Sequence, residues 1–115
     1  MTILEYVVNY LDKKLPEPVR IKKPDKAPKR YILIEKTGFD IENYLSTATV
    51  VIESYAESLY ATEELSIRIR KRLEEMADNN KISSVRLDTD YPDSNADKKE
   101  NRYQAVYKIT HYMED

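Results

Sequence analysis

Hydrophobic residues recur along this chain with two periods, and the switch between them marks out its elements. From Thr47 to Met76, TATVVIESYAESLYATEELSIRIRKRLEEM, strand spacing gives way to helical spacing with almost no connection. Val50, Val51 and Ile52 are β-branched, and the Ser, Thr and Tyr around them keep strand propensity high through Tyr55. From Leu59 the apolar positions Ala61, Leu65, Ile69, Leu73 and Met76 form one helical stripe. The opposite side carries Glu63, Glu64, Arg68, Lys71, Arg72, Glu74 and Glu75, with Glu64–Arg68 and Lys71–Glu75 spaced to pair across one turn. Ser58 is the predicted N-cap and Asp78-Asn79-Asn80 the stop. A two-layer domain needs a central strand and a helix to cover it, and this stretch supplies both.

The remaining segments arrange themselves around it. Thr2-Ile3-Leu4-Glu5 reads as a capping box that opens a helix. Its stripe is Ile3, Val7, Leu11 and Leu15, widened by Leu4 and Val8, and Pro16 and Pro18 end it. Val19-Arg20-Ile21 is a short strand at an edge. Tyr31–Glu35 is a central strand that Gly38 terminates. Phe39 to Ser46 then reads as a connecting loop carrying Phe39, Ile41, Tyr44 and Leu45, which must fold back on the core or pack on a neighbouring molecule. Ile82–Tyr91 alternates, with Val85 and Leu87 on one side and Arg86 and Asp88 on the other. The last strand, Arg102–Met113, places Tyr103, Ala105, Tyr107, Ile109 and His111 on one face. Pro92 to Asn101, PDSNADKKEN, has no hydrophobic residue larger than Ala96 and is expected to be mobile in the isolated chain. The predicted order is α-β-β-β-α-β-β, an α+β fold with two helices on one face of a mainly antiparallel sheet whose neighbouring strands are joined by hairpins. It forms a single domain over 1–115, with flexible loops at about 22–30, 38–46 and 92–101.

Composition narrows what such a domain does. At 115 residues it suits one modest core. The absence of Cys excludes disulfides and thiolate metal sites. Met1–Tyr10 has no basic leader, and no apolar run approaches the ~20 residues of a membrane span, so a soluble intracellular domain is expected. A net charge of −2 gives no global pull toward nucleic acid. Ten Tyr against one Phe and no Trp make the aromatic surface amphipathic, suited both to strands and to meeting other proteins. Gly38 is the only glycine, so no phosphate-cradling glycine loop is available.

The search for catalytic equipment ends in little. There is no Cys and no G-x-S-x-G, and His111 is the only His, which reads as a structural strand residue. Asp88, Asp90 and Asp93, with Asp97 beyond, could be imagined around Mg²⁺, but Asp88 and Asp90 read as sharing one strand face while Asp93 lies past Pro92. Tyr103, Tyr107 and His111 share a face as RNA-stacking aromatics do, yet Ala105 and Ile109 between them suit core packing. No catalytic residue, metal or cofactor is expected. Lys22 to Arg30, KKPDKAPKR, gathers Lys22, Lys23, Lys26, Lys29 and Arg30 against a single Asp25. It reads either as a contact for an acidic or phosphate-bearing partner or as a solvated loop stiffened by proline.

The layout resembles that of the tail terminator, or tail-to-head joining, proteins of long-tailed bacteriophages and prophages. Four places carry the resemblance. They are the first helix ending in LDKKLPEPVRIKKP and leading to RYILIEKTG, the strand VVIESYAES, the helix ATEELSIRIRKRLEEM, and the terminal NRYQAVYKITHY strand after an Asp-rich loop. The resemblance implies an α/β subunit without catalysis that assembles into a ring, expected to be a homo-hexamer in the assembled tail, with a monomer as the alternative for the subunit alone. It would cap the tail tube protein, stop its polymerisation and present a surface to the head connector protein. Its place would be the host cytoplasm during assembly and then the tail–head junction of the virion. The residues assigned to assembly are Phe39, Ile41, Tyr44 and Leu45 in the connector, and Lys22, Lys23, Lys26, Lys29 and Arg30 in the basic loop. Another head–tail connector or neck component, or a small adaptor or nucleic-acid-binding domain, is the alternative.

Overall fold

Two capped amphipathic helices lie side by side on one face of a five-stranded sheet. The computed structural model describes residues 1–42, 44–93 and 100–112. The elements are α1 (Ile3–Lys14), β1 (Val19–Arg20), β2 (Tyr31–Glu42), β3 (Leu45–Ala56), α2 (Leu59–Met76), β4 (Ile82–Pro92) and β5 (Asn101–His111), which is the predicted α+β order. The capping box opens α1 as expected: the Glu5 amide donates to Thr2 Oγ1 at 3.2 Å, and the Thr2 amide donates to Glu5 Oε1 at 3.4 Å. Ser58 caps α2 by accepting from the Ala61 amide at 3.0 Å. Among the described residues no helix is long and apolar enough to cross a membrane.

Both stripes are buried where the periodicity puts them. Ile3, Val7 and Leu11 of α1 and Ala61, Leu65, Ile69, Leu73 and Met76 of α2 join Ile32, Ile34, Ala48, Val50, Ile52, Ala105, Tyr107 and Ile109 of the sheet as buried residues. The division of labour is finer than one helix on one strand. α1 lies over β1 and β2, whereas α2 lies over β3, β5 and β4. His111 is fully buried on the same face, consistent with a structural role.

The strand order is β1-β2-β3-β5-β4. β1 runs parallel to β2, and every other neighbouring pair is antiparallel. The expectation that neighbouring strands are joined by hairpins is therefore corrected at two places: β1 meets β2 in parallel through the Lys22–Arg30 connection, and β3 has β5, not a strand next to it in sequence, as its second neighbour. A parallel β1 follows from the long proline-bearing link, which carries the chain back to the start of the next strand.

A second correction concerns 38–46, expected as a flexible loop ended by Gly38. β2 instead continues through Gly38 to Glu42, past a bulge between Lys36 and Gly38, and pairs with β3 as far as Glu42↔Leu45. Ser46 to Thr49 are already held by β5 on one side, so their other edge offers backbone groups that residues 38–42 satisfy. Gly38 has no positive φ, and a Cβ there would meet nothing within 4 Å, so it passes through the strand without ending it. The molecule is correspondingly long, 44 × 24 × 24 Å. The predicted mobile segment 92–101 lies largely outside the described residues; its ends, Pro92 and Asn101, belong to β4 and β5.

Candidate functional site

The β2–β3 hairpin carries four of the residues assigned to assembly and displays them unequally. Phe39 lies opposite Ala48 and Ile41 opposite Ser46, so both rise from the face the helices cover. The helices end short of them: Phe39 is 56% exposed and Ile41 61%, and Tyr44 at the turn is fully exposed. Tyr44 adopts a φ of 67°, the left-handed turn conformation that a non-glycine residue takes up only under constraint. Leu45 pairs with Glu42, faces the other way and is half-buried. The Lys36 ammonium lies over the Phe39 ring, 5.0 Å from its centre. Phe39, Ile41 and Tyr44 thus form an apolar tip on an arm that the core does not use, while Leu45 stands apart.

The Lys22–Arg30 loop sits at the other end of β2. Two of its five cations are tied down within the chain: Lys23 pairs with Glu100, and Arg30 pairs with Glu57, its Nε donating to Oε2 at 2.9 Å. That hydrogen bond, with the Coulomb attraction behind it, holds the Glu57 carboxyl at about 2. Lys22, Lys26 and Lys29 are exposed and make no ion pair among the described residues. Both partners, Glu57 and Glu100, are far away in sequence, and no local pattern announces them.

The sheet face away from the helices is held by a polar ladder. Thr47 and Thr110 hydroxyls meet at 2.9 Å, and Lys108 Nζ donates to Thr49 Oγ1 at 2.7 Å. Arg102 reaches Glu53 at 2.9 Å and Asp93 at 2.5 Å. Tyr31 and Tyr55, directly opposite in register, stack with ring centres 4.4 Å apart and planes 4° from parallel. Both residues are buried, so this pair closes that end of the sheet. The sequence contains the two tyrosines, but their pairing depends on a register fixed only by the fold.

The other sequence candidates separate. Tyr107 and His111 are buried under α2, and Tyr103 gives its hydroxyl to Asp90 at 3.1 Å, so no base can stack on this stripe. The shared face expected for Asp88 and Asp90 is corrected by a bulge between Leu87 and Thr89, which turns Asp90 to the helix side. Asp93 is engaged by Arg102, Asp97 lies outside the described residues, and among the described residues no three His, Asp or Glu side chains converge as metal ligands. The expected Glu64–Arg68 pair is also replaced. Arg68 reaches across to Glu17, with Nη1 and Nη2 at 3.2 and 2.7 Å from its carboxylate oxygens, and clamps the segment that follows α1 to α2. On the same helix Arg72 pairs with Glu75 at 3.1 Å. Compared with known proteins, the chain matches no family model and no curated relative.

Proposed function

We propose that this chain is a ring-forming subunit that closes the end of a long-tailed phage tail tube, halts its growth and presents the head-joining surface, working by assembly without catalysis. The observation that carries the reading is the arm: a two-stranded hairpin extends past the helices and exposes Phe39, Ile41 and Tyr44, an apolar display a lone subunit has no use for. The resemblance in layout supports it, because the same succession of elements that suggests the family also builds the arm. A neighbouring subunit supplies the missing cover, and a rotation that closes on itself makes a ring. The exposed Lys22, Lys26 and Lys29 at the opposite end suit an acidic rim on the tube or connector.

The test is the mass of the purified protein across concentration, compared with a Phe39→Ser/Tyr44→Ser variant. Both side chains are exposed, so the variant should melt with the parent while its rings are lost and, in an infected host, tails grow to uncontrolled lengths. Parent protein that stays monomeric at high concentration with tube ends present removes the reading. Lys22, Lys26 and Lys29, which make no ion pair among the described residues, favour one other reading, nucleic-acid binding, and salt separates the two. Affinity for a duplex that falls steeply with added salt points to phosphate contacts, and no affinity leaves the ring.

A further inference from the structure

Beside the sheet edge lies an apolar groove of about 280 Å³ between α1 and β1, walled by Leu4, Val8, Val19 and Ile21. Ile21 is 60% exposed at its mouth, nearly matching Ile41 at the arm tip. The two isoleucines sit in opposite electrostatic settings. Ile21 is flanked by Arg20 and Lys22, and Ile41 by Asp40 and Glu42. None of these four charged residues has an ion-pair partner among the described residues. Among the described residues both segments also have open backbone edges: β1 is the outermost strand, and β2 has no neighbour on that side beyond Leu33.

We infer that the arm of one subunit docks on the β1 edge of the next copy of this chain, with Ile41 entering the groove at Ile21 and Asp40 and Glu42 set against Lys22 and Arg20. This specifies the contact by which the proposed ring would form, and so it rests on that reading. Within one subunit the two segments cannot meet. Arg20 is level with Leu33, so Ile41 lies about seven residues further along β2, roughly 23 Å away at strand rise. The contact joins two different patches, so each added subunit leaves one arm and one groove free, the condition for a head-to-tail ring. The apolar pair supplies burial, and the charges set the antiparallel register and reject arm-on-arm pairing, which would face acid with acid.

The chain has no cysteine, which makes the contact directly readable. Ile41→Cys and Ile21→Cys are exposed substitutions that leave the core untouched. Mixed under mild oxidation, they should form disulfide-linked heterodimers, while either variant alone should give little product, because a bond requires Cα atoms within about 7 Å. Asp40→Lys/Glu42→Lys should abolish the cross-link in the mixture, and adding Arg20→Glu/Lys22→Glu to the partner should restore it. Self-association without the mixed cross-link overturns this contact and leaves the ring reading standing. A dominant Ile41→Cys homodimer overturns it in favour of arm-on-arm pairing. Protein that neither cross-links nor self-associates with tube ends present removes both.

Discussion

The Glu17–Arg68 clamp makes an asymmetric prediction about stability. The Glu17 side chain is 8% exposed whereas Arg68 is 34% exposed, so the two partners lose different amounts of hydration in the fold. Burial on its own would raise the Glu17 carboxyl; the hydrogen bonds and charge of Arg68 outweigh it and leave the group below its ordinary value. Arg68→Met therefore strands a carboxylate in a covered site, whereas Glu17→Gln strands only a guanidinium that water can still reach. Breaking a fully buried pair costs about 3–5 kcal/mol and an exposed one about 0–1. Arg68→Met belongs between these limits at about 2 kcal/mol, and Glu17→Gln at about 1 or less. For a domain of this size that is roughly 8 °C of melting temperature against about 4 °C or less. The double variant should recover part of the Arg68→Met loss. The pH dependence fixes the sign. In the parent, the lowered carboxyl contributes stability above the unfolded value of about 4.3, and this is lost as pH falls through the lower folded value. In Arg68→Met the unpartnered carboxyl shifts upward, so acid relieves the variant and the gap between the two proteins narrows. Thermal melts of all four proteins from neutral pH downward give the comparison. If Arg68→Met costs no more than Glu17→Gln, or the gap widens in acid, Glu17 is not desolvated and the reasoning fails.

Two further outcomes test the core. Ile69, at 1% exposure, sits under the middle of α2, so Ile69→Asp should abolish cooperative melting; a melt like the parent's would mean the stripe is not the core face. Burial pushes the Tyr107 hydroxyl well above the ordinary tyrosine value of about 10, so its contribution is intact below that pH and is lost above it as the unfolded chain ionises first. Alkaline ultraviolet titration should show Tyr107 ionising only with unfolding, beside the buried Tyr31 and Tyr55, and Tyr107→Phe should shrink that step by one tyrosine; a step unchanged in Tyr107→Phe, with the loss instead among the tyrosines that ionise first, would refute it.

Much of this fold was legible because it is written in local periodicity. The stripes of α1 and α2, both N-caps and the alternation of β5 depend on residues a few positions apart. What escaped depends on distant partners. Gly38 resembles a strand end until β3 is in place to hold it, and Asp90 changes face only because of a bulge opposite β5. The ion pairs behave alike: Glu17 outcompeted the helical neighbour Glu64 for Arg68, and Glu57 and Glu100 claimed two cations of the basic loop. The candidate residues of the arm were visible as apolar side chains without a core to join. Their placement on a paired hairpin was not, because it follows from a register set by β5.

The insertion of β5 between β3 and β4 has a kinetic consequence. Thr47 and Thr110 bond across the middle of the sheet although they stand 63 residues apart in sequence. A nascent chain can form α1, the β2–β3 hairpin and α2 early, but β4 has no strand to pair with, and the stripe of Leu65, Ile69 and Leu73 has only part of its floor, until β5 is synthesised. Over that interval β3 and β4 are two parted edges waiting for the same strand. A β5 from another newly made chain satisfies them as well as the chain's own, so crowded synthesis favours strand-exchanged dimers, and slow dilution during refolding favours the closed monomer.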